Sequence, residues 1–329
     1  MGELMPEIFY TQAIRDALRD ELTRDERVIL LGEDIAGYGG AFRVTRGLLE
    51  EFGPERIRNT PICENSIVGA AVGAAMMGMR PVVEIMFMDF ITLAVDQVLN
   101  HAAKFRFMFG EQVRLPLVIR TPGGGRRGYG PTHSQSLESL FISMPGIKIA
   151  APSTPYDAKG MLKAAIRDDN PVLFVESKSL YGTRGEVPDD DYTVPLGKAK
   201  LVREGTDVTL VSWSFMLREC LRAADELAGE GIAAEVIDLR CLNPMDMDTL
   251  CESVRKTGRV VLAEEGPCTG GVCAEIGFRL FERLHYYLDA PIKRVAALDV
   301  PVPAAPALES HVLPDRRKVA AAVRELMSS

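Results

Sequence analysis

The sequence lacks cysteines and histidines at the spacing of a metal site. Its six cysteines are scattered along 329 residues without a Cys-x-x-Cys pair, at positions Cys63, Cys220, Cys241, Cys251, Cys268 and Cys273. No histidine accompanies them at ligand spacing. Neither a zinc site nor a disulfide framework is therefore indicated, and reduced thiols in a cytosol-like compartment fit the pattern best.

The sequence also lacks a surplus of basic residues. Lys and Arg number 38 against 46 Asp and Glu, which gives a net charge of -8 and a pI near 5.3. A nucleic-acid-binding protein needs a concentrated basic face, and the pairs Arg126-Arg127 and Arg316-Arg317 are too short to form one. The composition therefore argues against a nucleic-acid partner.

No long apolar run is present. The longest uncharged one, residues 67–79, is too short and too rich in glycine to cross a bilayer. Residues 1–22 are acidic and amphipathic, without the apolar core of a signal peptide or the arginine-rich, acid-poor character of a transit peptide. The sequence predicts a bacterial-type, cytoplasmic chain with no membrane partner.

What the chain does contain is an alternation of apolar runs of strand length with helical patterns. With 47% hydrophobic and 26% charged residues, it has the composition of a soluble globular protein of roughly two domains. The alternation predicts an α/β fold in which each domain contains a parallel sheet with crossover helices. We expect a first domain over residues 1–185, a linker over 186–206 without periodicity, and a second domain over 207–329.

The predicted elements follow from these periodicities. The predicted helices are 8–22, 45–52, 67–79, 90–105, 136–141, 155–167, 216–230, 247–256, 273–284 and 316–327. The predicted strands are 28–32, 57–59, 82–87, 117–120, 147–150, 172–176, 208–213, 234–238, 259–264 and 292–297.

One carboxylate, Glu64, stands immediately before a run of glycine and alanine within PICENSIVGAAVGAAMMGMRPVVEIMFMDF, residues 61–90. Because both flanks are apolar, we expect Glu64 where water is scarce. Burial raises a carboxyl pKa and strengthens a hydrogen bond to a bound ligand. The alternative is that Glu64 only complements the positive end of the following helix.

A long glycine-rich loop, TPGGGRRGYGPTHSQS, follows the predicted strand 117–120. It contains His133, alone among the four histidines in lying after a strand end, where ligands bind in open α/β sheets. The alternative is an ordinary surface histidine. A second loop, GPCTGG at 266–271, either binds an anion or forms a turn before a helix.

Taken together, these segments resemble the beta subunit of the thiamine diphosphate-dependent 2-oxo acid dehydrogenases, the pyruvate, branched-chain and acetoin dehydrogenase group of the transketolase-like superfamily. The resemblance is colinear over nearly the whole chain. The matching segments are GEDIAGYGGAFRVTRGL (32–48), TPICENSIVGAAVGAAMMGMRPVVEIMFMDF (60–90), DQVLNHAAKFRFMFG (96–110), THSQSLE (132–138), PGIKIAAPSTPYDAKG (145–160), AIRDDNPVLFVESKSLY (165–181), EVIDLRCLNP (235–244) and KTGRVVLAEE (256–265).

The resemblance implies a pyrimidine-binding domain followed by a transketolase C-terminal-like domain, and it implies site residues. Glu64 corresponds to the glutamate that hydrogen-bonds N1' of the cofactor's aminopyrimidine, Phe90 to the ring that stacks on it, and Ile62 to a residue beside it. His133 corresponds to the histidine that handles the acyl intermediate and its transfer to a lipoyl arm. Thr132 stands where most members have Gln, and Ser66 where Gly is commoner. These departures leave the acid and the histidine in place, but the resemblance does not determine the fine substrate specificity.

The family can also hold potassium through backbone oxygens. The corresponding positions here are Leu117, Ala165, Ile166, Asp168 and Asn170. A helix C-terminus followed by a turn before a strand explains the segment AIRDDNP equally well.

The Gly-Asp-Gly stretch that anchors the cofactor's diphosphate through magnesium in thiamine enzymes does not occur in this sequence. The resemblance therefore implies a separate alpha subunit that holds magnesium and diphosphate. The expected assembly is an alpha2-beta2 heterotetramer, and the chain is expected to be active only with that alpha subunit. The heterotetramer would pass its acyl group to the lipoyl domain of a dihydrolipoyl acyltransferase core.

Three interpretations follow from the resemblance. The first is the beta subunit of a 2-oxo acid or acetoin dehydrogenase, with the substrate open. The second is half of a split transketolase or deoxyxylulose phosphate synthase-like enzyme. The third is a non-catalytic assembly subunit that has kept the fold.

Overall fold

The computed structural model describes residues 5–328, which form two compact units. The first unit contains the described residues up to Gly123 and Leu140–Leu196, and the second contains Gly124–Ser139 and the residues from Gly197 onward. The segment 124–139, which the predicted boundaries placed in the first domain, thus groups with the second unit. None of the helices between residues 5 and 328 has the length and apolarity that a membrane span requires.

The first unit is built on parallel strands. In chain order the strands are β1 (Glu7–Phe9), β2 (Val28–Gly32), β3 (Ile57–Asn59), β4 (Arg80–Glu84), β5 (Val118–Gly123), β6 (Lys148–Ala150), β7 (Val172–Ser177) and β8 (Arg184–Glu186). The helices are α1 (Tyr10–Arg24), α2 (Leu48–Phe52), α3 (Glu64–Met76), α4 (Phe105–Met108), α5 (Glu138–Ile142), which begins in the second unit, and α6 (Pro155–Arg167). Its sheet runs β6-β7-β5-β4-β2-β3 with every pairing parallel.

The central strands of this sheet are buried along nearly their whole length, as is usual for parallel sheets that are covered on both faces. The run VILLG of β2 is almost entirely buried, and every residue of β5 and β7 is buried. Parallel pairing brings the carboxyl ends of β2, β4, β5 and β7 to one edge of the sheet, which is where ligands bind in open α/β folds.

The second unit has a smaller sheet of five strands. The strands of the unit are β9 (Lys200–Arg203), β10 (Val208–Ser212), β11 (Ala234–Asp238), β12 (Cys241–Asn243), β13 (Val260–Pro267) and β14 (Lys293–Ala297), and β12 is not part of that sheet. Its helices are α7 (Ser214–Ala228), α8 (Met247–Thr257), α9 (Val272–Leu284), α10 (Pro306–Val312) and α11 (Arg316–Met327). The five-stranded order is β14-β13-β10-β11-β9, with only β9 antiparallel.

The core of this unit forms where α7 and α11 pack on the sheet. Their buried apolar faces, including Met216 and Leu227 of α7 and Val319 and Val323 of α11, share one cluster with Val236 of β11. Apolar residues at helical spacing produce such a face. The two-domain α/β class predicted from the sequence is thus confirmed.

Several predicted elements need correction. The predicted helix 8–22 is preceded by a strand, Glu7–Phe9, that pairs with β8. The predicted helix 90–105 is a 3-10 helix over Met88–Ala94, a π-helix over Gln97–Ala102 and the short α4. Part of the predicted linker is β9, which pairs with β11. Apolar periodicity does not separate an α-helix from a 3-10 or π-helix, since each places apolar residues on one face, and strands of three or four residues are too short to show a period.

Candidate active site

Glu64 is the first residue of α3, directly after the turn that follows β3. The helix begins three residues earlier than predicted, because its first turn is polar and shows no apolar periodicity. The side chain is buried, with 7% of the residue exposed, and the positive end of the helix favours its charge. Among residues 5–328 no hydrogen bond to the Glu64 carboxylate is found, so the carboxylate remains available to a ligand.

A second buried carboxylate, Glu33, lies beside the first. Glu33 directly follows β2, and its pKa is raised by burial and then by the negative charges of Glu64 and Asp34. Like charges that share a site with little water disfavour ionisation of one of them. The sequence-based predictions did not single out Glu33. Its position, as an acid immediately after a buried parallel strand, could have identified it as a candidate site residue.

Aromatic side chains accompany the carboxylates in the first unit. The half-buried Phe90 contacts Phe87 edge to face with ring centroids 6.2 Å apart, and Phe87 contacts Phe42 at 5.5 Å. The ammonium of Lys178 lies 5.1 Å from the centre of the Phe87 ring. Ile62 is 80% exposed. The rings supply flat apolar surface of the kind on which a heteroaromatic ring stacks.

A buried ionic network joins the strands of this sheet. Arg120 of β5 donates to Glu84 of β4 at 2.8 Å and to both oxygens of Glu176 of β7, at 2.7 and 3.1 Å. Tyr181 donates to Glu176 at 2.7 Å. Burial raises the pKa of Glu176, and the guanidinium of Arg120 opposes that shift. Such a paired network fixes the strand ends, since breaking it would leave a buried charge uncompensated.

His133 lies in the second unit, whereas Glu64, Phe90 and Ile62 lie in the first. The ring of His133 is half-buried, and its Nδ1 is 3.0 Å from the hydroxyl of Thr132. The backbone N–H of His133 donates to the carbonyl of Gly130 at 3.3 Å. Thr132 therefore contacts the ring directly and contributes to its orientation.

The five positions considered for potassium lie around the end of α6 and the start of β5. The carbonyl of Leu117 accepts from the N–H of Val172 at 2.8 Å, and that of Ala165 accepts from the N–H of Asp168 at 3.2 Å. The carbonyls of Ile166 and Asp168 both accept from Nη1 of Arg80, each at 3.0 Å. A carbonyl oxygen has two lone pairs, so these bonds leave each oxygen one further site.

At Asn170, the side-chain amide donates to Asp168 at 2.8 Å. The guanidinium of Arg80 thus contacts two of the five positions, a contact that the sequence-based predictions did not include.

Comparison with known families divides the chain near residues 185–197, and its first part includes the segment 124–139 that groups with the second unit of the fold. Residues 7–184 match the family model described as "Transketolase, pyrimidine binding domain", and residues 197–319 match "Transketolase, C-terminal domain". A solved structure described as "Split gene transketolase, inactive beta4 tetramer" superimposes with a TM-score of 0.78 at 26% identity, covering 98% of both chains.

Curated relatives are closer in sequence. The chain is 46% identical to the 2-oxoisovalerate dehydrogenase subunit beta of Bacillus subtilis, over 96% of this chain and 98% of the relative. It is 45% identical to the acetoin:2,6-dichlorophenolindophenol oxidoreductase subunit beta of Cupriavidus necator, over 96% of each. It is 46% identical to the pyruvate dehydrogenase E1 component subunit beta of Rhizobium meliloti, over 98% of this chain and 70% of the relative.

Fold and site together define a transketolase-like protein with a pyrimidine-binding and a C-terminal domain. Within that class, the chain belongs to the beta subunits of the thiamine diphosphate-dependent 2-oxo acid and acetoin dehydrogenases, which are oxidoreductases. The resemblance inferred from the sequence segments is confirmed.

Proposed function

We propose that this chain contributes the pyrimidine half of a thiamine diphosphate site that it shares with an alpha subunit. The observation that carries the proposal is the buried Glu64 carboxylate, which begins α3 and has no hydrogen bond within residues 5–328. A buried carboxylate normally has a partner. In this proposal the partner is N1' of the aminopyrimidine.

The residues present fit that group. Glu64 would hold a proton at its carboxylate and share it with N1', while Phe90 would stack on the ring and Ile62 would line its side. The exposed Ile62 suits such a contact, because its apolar surface has no other cover in the described chain. When bound, thiamine diphosphate supplies the electron sink for cleavage next to a carbonyl carbon. Scarce water around Glu64 and Glu33 keeps the shared proton from exchanging with solvent.

The partners follow from the rest of the sequence. Since Gly-Asp-Gly does not occur in it, we propose that an alpha subunit holds magnesium and the diphosphate in an alpha2-beta2 heterotetramer. The assembly would pass its acyl group to the lipoyl domain of a dihydrolipoyl acyltransferase core, with His133 facing the lipoyl arm. Potassium at Leu117, Ala165, Ile166, Asp168 and Asn170 would be structural, sharing two carbonyls with Arg80. We place the assembly in the cytoplasm.

The substrate is a 2-oxo acid or acetoin. Identities of 46%, 45% and 46% to the branched-chain, acetoin and pyruvate relatives do not separate these substrates. A split transketolase is the second candidate, favoured by the structural likeness at a TM-score of 0.78. The higher identity to the dehydrogenase subunits supports the first.

The test is turnover by the chain purified together with its alpha-type partner, supplied with thiamine diphosphate and magnesium. Pyruvate, branched 2-oxo acids and acetoin are assayed with an artificial electron acceptor, and a ketose phosphate with an aldose acceptor is assayed in parallel. Turnover of one of the first three supports the proposal. Turnover of the sugar phosphates alone would favour the split transketolase, and no turnover with any substrate would favour an assembly subunit.

A further inference from the structure

Two carboxylates of the second unit hold the start of the glycine-rich loop that leads to His133. We call Glu265 and Glu309 the loop anchor. Glu265 lies in the last part of β13 and Glu309 in α10, and both belong to the same unit as the loop. The mechanism proposed above uses neither of them.

Glu265 binds the first turn of the loop. Its Oε1 accepts the N–H of Gly125 at 2.6 Å, and its Oε2 accepts Nε–H of Arg126 at 3.3 Å. A Cβ at Gly124, where φ is +85°, would come within 2.7 Å of the same Oε1. The close approach of carboxylate and backbone therefore depends on glycine at that position.

Glu309 binds the next turn of the loop. Its Oε1 accepts the N–H of Arg126 at 2.8 Å, and its Oε2 accepts the N–H of Gly128 at 3.2 Å. Glu309 is only 5% exposed, so these bonds form with little competition from water. Hydrogen bonds to a charged group are stronger than neutral ones.

The backbone of the loop is shaped to receive these anions. Gly124, Arg126 and Gly128 have φ values of +85°, +70° and +67°. Left-handed residues along a turn leave backbone N–H groups free to bind anions. For Arg126, a non-glycine residue, this conformation costs energy, which the bonds to Glu265 and Glu309 offset.

The side chain of Arg126 fixes the same turn. Its Nη2 donates to the carbonyl of Pro314, and its guanidinium lies 4.5 Å from the centre of the Phe215 ring. The loop is thus held at its backbone by two carboxylates and at its side chain by an aromatic ring and a carbonyl.

We propose that Glu265 and Glu309 are positioning residues for acyl transfer to the lipoyl arm. The inference rests on the proposed role of His133, whose N–H donates to Gly130 just beyond the anchored turns. The anchor fixes residues 124–128, and the short segment that follows carries His133. A catalytic group displaced by about 1 Å can lose on the order of 10²-fold in rate, so a loosened anchor weakens the step that uses His133.

The test uses Glu309→Gln and Glu265→Gln in the assembly with the alpha-type partner. Glutamine retains the size but replaces one acceptor oxygen with an NH₂ group, so it cannot accept both N–H bonds. Acylation of a free lipoyl domain should fall by about ten-fold or more, and by more than turnover with an artificial acceptor. Glu282→Gln, an exposed change of the same charge on α9, should change neither assay. Equal losses in both assays would overturn the proposal.

Two further measurements separate positioning from general damage. In a double-mutant cycle, Glu309→Gln should add little to the defect of His133→Ala, whereas additive losses would contradict action through His133. Hydrogen exchange of the segment 124–135 should speed up in Glu309→Gln while the sheet stays protected. If His133→Ala shows no selective defect, the role of His133 fails together with the inference. If His133→Ala shows the selective defect but the Glu265 and Glu309 variants do not, only the inference about the loop anchor fails.

Discussion

The carboxylate of Glu64 is buried at the first residue of α3, where the helix N-terminus attracts negative groups. Its neighbour Glu33 is also buried, and the charge of Glu64 helps to raise the pKa of Glu33. The proposed contact between Glu64 and a ring nitrogen rests on this position and on the absence of a hydrogen bond to Glu64 within residues 5–328.

Glu64→Gln should lower turnover of the assembly by about 10²–10⁴-fold, the usual range for a positioned proton-transfer group. Glutamine keeps the volume and removes the exchangeable proton, so folding and assembly should be intact by circular dichroism and sedimentation. The matched control is Glu50→Gln on α2, where the side chain is exposed. Near-normal turnover of Glu64→Gln would contradict the assigned role.

Glu138, the first residue of α5, gives the chain a pH-dependent stability. Its pKa is raised from 4.5 to about 7, first by burial and then by the charges of Glu264 and Glu265, against the opposing effect of a backbone hydrogen bond. Below pH 4.5 the carboxyl is protonated in both folded and unfolded chains. Between pH 4.5 and 7 only the unfolded chain releases the proton freely, so we expect stability to fall by about 3 kcal/mol across that interval.

Glu138→Gln should remove that loss, because the amide does not ionise. The variant should therefore unfold at a higher denaturant concentration than the parent at pH 8, and the difference should shrink at pH 4.5. Chemical unfolding at the two pH values measures it, with Glu282→Gln as the exposed control. An identical pH dependence in parent and variant would show that Glu138 is not the titrating group.

Among the elements, α3 has an exposed face of small residues. Ala70 and Gly73 are exposed, and a Cβ at Gly73 would meet no atom within 4 Å. Small residues on a helix allow close packing either inside the domain or against the backbone of another chain. No part of the described chain covers Ala70 or Gly73, which favours packing against the backbone of another chain.

Gly73→Leu should therefore leave the lone chain as stable as the parent or slightly more so, since glycine within a helix costs about 1 kcal/mol relative to alanine and leucine ranks close to alanine. Assembly with the alpha-type partner should weaken, because the larger side chain would block a close approach of helices. Ala228→Leu, at the exposed end of α7, controls for added apolar surface. Unchanged assembly by analytical ultracentrifugation would show that this face of α3 does not lie in the interface.

The elements also show where prediction from sequence succeeds. Strand Val28–Gly32 and helices Pro155–Arg167 and Arg316–Met327 were predicted to the residue, because strong periodicity, a proline at the start or an Asp cap marks them. Helix α10 was missed within a proline-rich stretch, although Pro306 occupies a first-turn position that suits proline. That missed helix carries Glu309, so the loop anchor was not predictable from local patterns.

For the whole molecule, the sequence established the family through colinear segments, and the identity to relatives agrees. It could not show that Glu33 lies beside Glu64, or that residues 124–139 group with the second unit. Both facts depend on interactions between residues far apart in the chain, which periodicity does not encode. The candidate residues are divided between the units, with Glu64 in the first and His133 and the anchor in the second.

The most direct test of the account is calorimetric binding of thiamine diphosphate with magnesium, to the lone chain and to the chain co-purified with its alpha-type partner. A site shared with the alpha-type partner predicts tight binding only by the pair, and weaker binding when the pair carries Glu64→Gln. Tight binding by the lone chain would contradict the shared site.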